Sequence, residues 1–213
     1  MFTGLIHCIG RVRGLHDRQH SRILEISHDL ADIPLTGASV AVNGVCLTVL
    51  SGQKHIFTAE CFFSTLDKTG FKNIRPGASV HLEPALKIGS PLDGHLVQGH
   101  VSSRTRVLEN RWVGRGRMLT LKIPAGEGGF LIPEGSVALD GVSLTISSLE
   151  EDRFSIQLIG ETLKSTCLGM LNPGDRVNLE TDMLLRGSKQ KLGTSGNQKP
   201  NITEQQLLQW GYL

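Results

Sequence analysis

SVAVNGVCLTV, residues Ser39 to Val49, occurs a second time as SVALDGVSLTI, residues Ser136 to Ile146. Seven of the eleven positions are identical; the others exchange Val for Leu, Asn for Asp, Cys for Ser and Val for Ile. Both copies alternate. Val45, Leu47 and Val49 fall on one side of an extended chain, with Cys46 and Thr48 on the other; Val142, Leu144 and Ile146 oppose Ser143 and Thr145 in the same way. A period of two marks a strand with one face in a core and one face free. Ahead of each run stands a bend dipeptide, Asn43-Gly44 or Asp140-Gly141, built from residue types that accept positive φ. The stretch reads as a hairpin, used twice.

Working outward, the duplication widens. PGASVHLE, Pro76 to Glu83, answers PGDRVNLE, Pro173 to Glu180, at the same offset of 97 that separates Ser39 from Ser136. STLDKT, Ser64 to Thr69, aligns with ETLKST, Glu161 to Thr166. Near the start, Gly4 aligns with Gly99 and Arg11-Val12 with Arg106-Val107, at an offset of 95. Ordered segments at nearly constant spacing define a duplicated unit, too long for a solenoid repeat. Two similar domains are expected, at 1–94 and 95–186, with the boundary near Pro91 to Leu96. Short β-branched runs at Val80 to Leu82, Arg106 to Leu108, Met118 to Ile123, Phe154 to Ile159 and Arg176 to Leu179 place both halves in the all-β class, each a small barrel or sandwich. Short helices fit at Ser64 to Thr69 and at Glu161 to Leu168, the second stopped by Gly169. Gly114 to Arg117 reads as a hairpin turn, because no helix pattern follows it as a phosphate loop would require. The tail, 187–213, reads as a polar linker from Gly187 to Asn201, then a short helix opened by the capping box at Thr203 to Gln206.

Composition excludes several classes. A chain of 213 residues, 39% hydrophobic and 20% charged with a formal charge of +2, has the balance of an ordinary soluble domain and no basic stripe for nucleic acid. Its longest apolar runs fall far short of the roughly 20 residues that span a bilayer. The N-terminal MFTGLIHCIG lacks the charged and small-residue features of a secretory signal. Cys8, Cys46, Cys61 and Cys167 form no CxxC pair, so a reduced, cytoplasmic chain without a zinc site is expected. His95 and His100 lack a third ligand of matching logic, which argues against a metal there.

The motifs MFTGLI, NGVCLTV, GHLVQGHV, LDGVSLTI, GETLKST and VNLETD, in this order from Met1 to about Asp182, resemble the riboflavin synthase family. The resemblance implies two tandem homologous six-stranded Greek-key β-barrels, each binding one molecule of 6,7-dimethyl-8-ribityllumazine. It implies a transferase that moves four carbons between the two, giving riboflavin and 5-amino-6-ribitylaminouracil without metal or cofactor. It further implies a homotrimer, whose working site lies between the N-terminal barrel of one subunit and the C-terminal barrel of a neighbour, and a possible association with lumazine synthase. A non-catalytic lumazine- or flavin-binding antenna protein on the same fold is the rival reading.

By the same resemblance, His100, Cys46, Ser39 and Asp182 are the catalytic candidates. His100 aligns with Leu5 of the first repeat, an asymmetric polar replacement that fits a proton acceptor or donor; a surface histidine at a strand start is the plain alternative. Cys46 is a ligand-contacting thiol rather than a nucleophile, since nothing in the sequence shows a neighbour that stabilises thiolate; a small buried hydrophobe is the alternative. Ser39 reads either as a site hydroxyl or as a turn-capping serine, and Asp182 as an acid near His100 or a solvated strand end. The substrate-contacting set implied is Phe2, Thr3, Gly4, Leu5 and Ile6 at the start; Leu47, Thr48, Glu60, Cys61, Phe62, Phe63, Ser64 and Thr65 in the first half; Gly99 and Val101 at the junction; and Glu134, Ser143, Leu144, Thr145, Ile159, Gly160, Glu161, Thr162, Leu163 and Lys164 in the second half. The chain departs from the family pattern at Glu134, commonly lysine, at Ser64, where a glutamate is usual, at Gly160 in place of a proline, and at Ser102-Ser103 in place of Asp-Gly. The family's trimer-forming C-terminal helix has no clear pattern in Leu184 to Leu192.

Overall fold

The structure, a computed structural model, describes residues 1–194. The repeated hairpin is the element from which the rest hangs. Strands β3 (Ser39–Val42) and β4 (Val45–Gly52) flank Asn43 and Gly44, both at positive φ (45° and 73°). Their images β9 (Ser136–Leu139) and β10 (Val142–Leu149) flank Asp140 and Gly141 (44° and 82°). Positive φ at both central residues is the geometry of the tight two-residue hairpin.

Around each hairpin a six-stranded antiparallel barrel closes. The first adds β1 (Cys8–Asp17), β2 (Ser21–Ser27), β5 (Ile56–Phe62) and β6 (Ser79–Pro84), in the order β1-β2-β5-β4-β3-β6. The second adds β7 (Ser103–Val113), β8 (Gly116–Lys122), β11 (Arg153–Leu158) and β12 (Arg176–Thr181), in the equivalent order β7-β8-β11-β10-β9-β12. Even the bulges repeat: register shifts fall between Val12 and Gly14 and between Val107 and Glu109, and again between Val49 and Ser51 and between Ile146 and Ser148. Each barrel buries its own core, the first around Leu24, Phe57 and Leu82 and the second around Leu121, Phe154 and Leu179. The alternating residues behave as expected, with Val45, Leu47, Val49, Val142, Leu144 and Ile146 inside.

Both barrels belong to one compact unit, Met1–Met183. They meet at a small apolar cluster of Phe2, Ala41, Val97 and Ala138, with Phe2 bridged to Val97. A polar seam lies beside it. The His81 N–H donates to Asn43 Oδ1 (2.7 Å) and the Asn178 N–H to Asp140 Oδ1 (2.8 Å), so each hairpin is tied within its own barrel. The ties then cross. The Cys167 N–H donates to His81 Nε2 (2.8 Å), which leaves the Nδ1–H to donate to the Asp140 carbonyl (2.9 Å). In mirror fashion the Gly70 N–H donates to Asn178 Oδ1 and the Asn178 amide to the Asn43 carbonyl, both at 2.9 Å. The hairpin tips touch: a Cβ on Gly44 would lie 2.6 Å from the Gly141 nitrogen.

Two expectations from the sequence need amendment. The second short helix, α2 (Gly160–Ser165), ends before Gly169, which lies inside a separate 3-10 turn, Leu168–Met170; α1 (Phe63–Lys68) matches its expected place. Helix α3 (Met183–Thr194) runs through Gly187, the start of the expected linker, and covers Leu184 to Leu192, whose sequence shows no clear helix pattern. Met, Leu, Lys, Gln and Arg are good helix formers, and together they outweigh the cost of about 1 kcal/mol for a single interior glycine. The helix expected from Thr203 lies outside the described residues.

Candidate functional site

The outward faces of β4 and β10 each floor a cavity. The first, of about 290 Å³, is lined by Val45, Cys46, Ser64, Thr65, Lys68, Thr69, Gly99, His100 and Val101. The second, of about 490 Å³, is lined by Leu5, Asp93, Gly94, Ser136, Ser143, Leu144, Thr145, Ser147, Gln157, Ile159 and Thr162. Cys46 and Ser143 are repeat partners, as are Thr65 and Thr162, so the two cavities occupy equivalent places on the two barrels. Both set several hydroxyls beside a few apolar side chains, a lining that offers a polar small molecule hydrogen-bond partners and some apolar contact. Leu5 and Asp93 also border a third cavity, about 450 Å³, beside Thr3, His7, Glu83 and Lys87.

A wall of each cavity comes from the connecting segments. The Gly4 carbonyl accepts the Ser143 N–H (2.8 Å), and the Gly99 carbonyl accepts the Cys46 N–H (2.9 Å). These approaches need glycine. A Cβ on Gly4 would fall 2.6 Å from Ser143 Cβ, and one on Gly99 would fall 2.6 Å from Cys46 Cβ. Buried carboxylates hold the two segments. Glu83 accepts the Thr3 N–H (2.6 Å), the Thr3 hydroxyl (2.8 Å) and the Gly4 N–H (3.1 Å). Glu180 accepts the N–H groups of Gln98 (2.6 Å), Gly99 (3.1 Å) and His100 (3.0 Å). Burial pushes the Glu83 carboxyl up, and its bonds from Thr3 and Gly4 oppose that rise. Sequence reasoning missed both glutamates, although each closes a quoted repeat motif, VHLE and VNLE.

The catalytic candidates are not gathered at one cavity. Cys46 and His100 line the first, with Cys46 half-buried and the His100 side chain exposed. Ser39 is half-buried on β3 opposite Thr48, two register positions from Cys46, and borders neither cavity. Asp182 is near enough to act electrostatically on His95, whose Nδ1 is 2.7 Å from Ser143 Oγ. Burial pushes the His95 imidazole down, with Asp182 partly opposing it. A neutral imidazole bonded to a hydroxyl in the second cavity can accept a proton, a role beyond the metal-ligand reading that the sequence alone suggests for His95.

Of the contact candidates, Leu5, Ser64, Thr65, Gly99, Val101, Ser143, Leu144, Thr145, Ile159 and Thr162 line the two cavities. Phe2 is buried between the barrels, and Leu47 and Cys61 lie in the first core, where burial raises the Cys61 thiol to about 12. Ile6 and Leu163 pack on the second core. Thr3 and Gly4 are engaged by Glu83. Glu60 accepts the Ser21 hydroxyl, Thr48 faces it across the ladder, and Phe62 and Phe63 are exposed. Glu134 sits at positive φ (61°) with its N–H donated to the Ile146 carbonyl. Gly160 opens α2, on which Glu161 and Lys164 form an exposed pair at 4.0 Å. Among the described residues no cluster of three metal-ligating side chains occurs, and no helix is long and apolar enough to cross a membrane.

Comparison with known proteins places this architecture. The lumazine binding domain family matches residues 3–85 and again 98–182. The riboflavin synthase of Brucella abortus is 38% identical over 87% of this chain and 95% of its own. That of Mycobacterium tuberculosis is 35% identical over 92% of this chain and all of its own, and that of Bacillus subtilis 35% identical over 86% of each. Among solved structures, LumP complexed with riboflavin superposes with a TM-score of 0.77 at 23% identity, over 85% of this chain and 99% of that one. LumP complexed with 6,7-dimethyl-8-(1'-D-ribityl)lumazine gives 0.74 at the same identity and coverage, a likeness of fold.

Proposed function

We propose, from the premise that this chain belongs to the lumazine-binding domain family and stands in it with the riboflavin synthases, that it is itself a riboflavin synthase. Two molecules of 6,7-dimethyl-8-ribityllumazine dismutate by transfer of four carbons, yielding riboflavin and 5-amino-6-ribitylaminouracil. The observation that carries the reading is the pair of repeat-equivalent cavities, one bearing Cys46, Thr65 and His100, the other Ser143, Thr145 and Thr162. A reaction between two copies of one molecule calls for two like sites with unlike side chains, and the duplicated chain carries both.

The chemistry asks little beyond positioning. The C7 methyl of the lumazine is acidic because the heterocycle delocalises the resulting anion. Holding two rings in opposed orientation lowers the barrier by on the order of 7–11 kcal/mol, and a placed base adds roughly 10²–10⁴-fold. In this reading His100 serves as that base at the first cavity. Cys46 contacts the ring, while Ser39 and Asp182 complete the catalytic set. The working pair of sites forms between the N-terminal barrel of one subunit and the C-terminal barrel of the next in a cytoplasmic homotrimer, able to associate with lumazine synthase.

The test is direct. Purified protein incubated with the lumazine is expected to develop riboflavin absorbance. Tight fluorescent binding without turnover would instead support an antenna-type binding protein, and no binding would sink both. Light scattering with and without ligand reads the assembly, with a trimer mass expected.

A further inference from the structure

We propose that Glu83 and Glu180 are crossed positioning residues: each carboxylate, rooted in one barrel, sets the wall of the cavity in the other. This deepens the reading of the two cavities as ring sites and rests on it for its functional meaning, although its geometry stands apart from any activity.

Glu83 lies on β6 opposite Ala41, inside the first barrel's sheet. The three donors it receives come from Thr3 and Gly4, and Gly4 passes the connection on through its carbonyl to the Ser143 N–H. Ser143 belongs to the second barrel and lines the second cavity. Glu180 lies on β12 opposite Ala138, inside the second barrel's sheet. It receives the N–H groups of Gln98, Gly99 and His100, and Gly99 passes the connection on to the Cys46 N–H in the first barrel. The two relays, Glu83–Gly4–Ser143 and Glu180–Gly99–Cys46, are repeat images of each other. In each, the missing Cβ of the glycine lets backbone rest directly on the cavity residue.

A carboxylate suits this task for a physical reason. It is acceptor-only, so it takes several N–H donors at once, and hydrogen bonds to an ionised acceptor are about twice as strong as neutral ones. A glutamine in its place offers one acceptor oxygen and turns an NH₂ group toward N–H donors. Loosening Glu180 therefore frees the segment bearing Gly99 and His100 over the first cavity, while Glu83 continues to hold the second. The same argument runs the other way for Glu83.

The experiment compares two thiols in the full chain. Cys46 reports on the first cavity, and Ser143→Cys places a thiol at the equivalent point of the second. Alkylation by iodoacetamide is followed at each position by peptide mass spectrometry. Glu180→Gln is expected to speed labelling at Cys46 about tenfold or more and leave position 143 within about twofold; Glu83→Gln is expected to do the reverse. A purely structural role would raise both positions together; that result, an uncrossed pattern, or no change at either thiol overturns the proposal. The slow thiol in each variant reports that the chain is folded. Where a glutamine variant does not fold, Glu83→Asp and Glu180→Asp keep the charge and withdraw it by one methylene, and the same crossed order at smaller amplitude is required. Should Ser143→Cys itself perturb the second cavity, Cys46 in the unmodified chain still must respond to Glu180→Gln and not to Glu83→Gln. Labelling needs neither lumazine nor turnover, so a crossed pattern without riboflavin formation sinks only the functional reading. Riboflavin formation with an uncrossed pattern sinks only this one.

Discussion

Where the first barrel meets the seam with Asn43 and His81, the second brings Asp140 and Asn178, and the hydrogen bonds are nevertheless the same. His81 and Asn178 share no side-chain chemistry beyond one donor and one acceptor at matching reach, and each uses them on the opposite barrel's backbone. The duplicated units have kept bond geometry and let residue identity drift. At the cavities the drift goes further, since Cys46 faces Ser143 across the repeat and His100 faces Leu5. The scaffold is symmetric, and the differences that bear on chemistry are those on side chains that reach a cavity or the seam.

The cavities test that contrast most severely. His100→Ala is expected to lower the initial rate of riboflavin formation by roughly 10²–10⁴-fold, whereas Leu5→Ala, at the equivalent position, costs less than about tenfold. Equal losses would mean that the two connecting segments do the same job.

The cores should behave alike. Phe57 and Phe154 are repeat partners and both are fully buried. Truncation of either to alanine is expected to cost about 3–5 kcal/mol in urea unfolding. A large difference between them would show that one barrel carries the stability of the other.

The seam should not behave alike. Burial raises the Asp140 carboxyl from 3.8 to about 7, opposed by its bond from Asn178 and by the Arg104 charge. Because the folded state holds this proton more tightly than the unfolded state, the contribution is most favourable below pH 4 and is lost as pH rises toward 7. Asp140→Asn, which copies Asn43, is expected to abolish that decline and to gain on the order of 1–3 kcal/mol at pH 8. Unfolding midpoints of the two proteins at pH 5 and pH 8 measure it; parallel pH profiles would remove Asp140 as the cause. The smallest effect expected is that of Cys46→Ser, which copies Ser143. If the thiol only touches the ring, turnover stays within about tenfold of the parent, and a loss of 10³-fold or more would restore the nucleophile reading.

Much of this was legible beforehand, and the limit is physical. Val45, Leu47 and Val49 declare their face through a period of two, and Asn43-Gly44 declares its bend through tolerated φ, because both signals are local. The repeat then extends one hairpin to two barrels. Glu83 and Glu180 stood in plain view at the ends of VHLE and VNLE, yet an acidic residue at a strand end has no local signature of burial. Its meaning depends on donors some 80 residues away. His95 has no local sign of a partner, and its neighbour Ser143 lies 48 residues on. Helix α3 escaped because Gly187 and Ser188 interrupt an otherwise adequate run.

What the sequence determined by itself is the repeating unit: alternating strands, their turns and their duplication, since these follow from steric and hydrophobic preferences acting over a few residues. What only the tertiary structure decided is the exchange between the units. The crossed segments, the two buried carboxylates and the His81–Asn178 seam exist because closing two barrels side by side leaves polar groups that water no longer reaches. The carboxylates found their donors in the connecting segment of their own half and the seam groups found theirs in the other barrel, at separations no local pattern records.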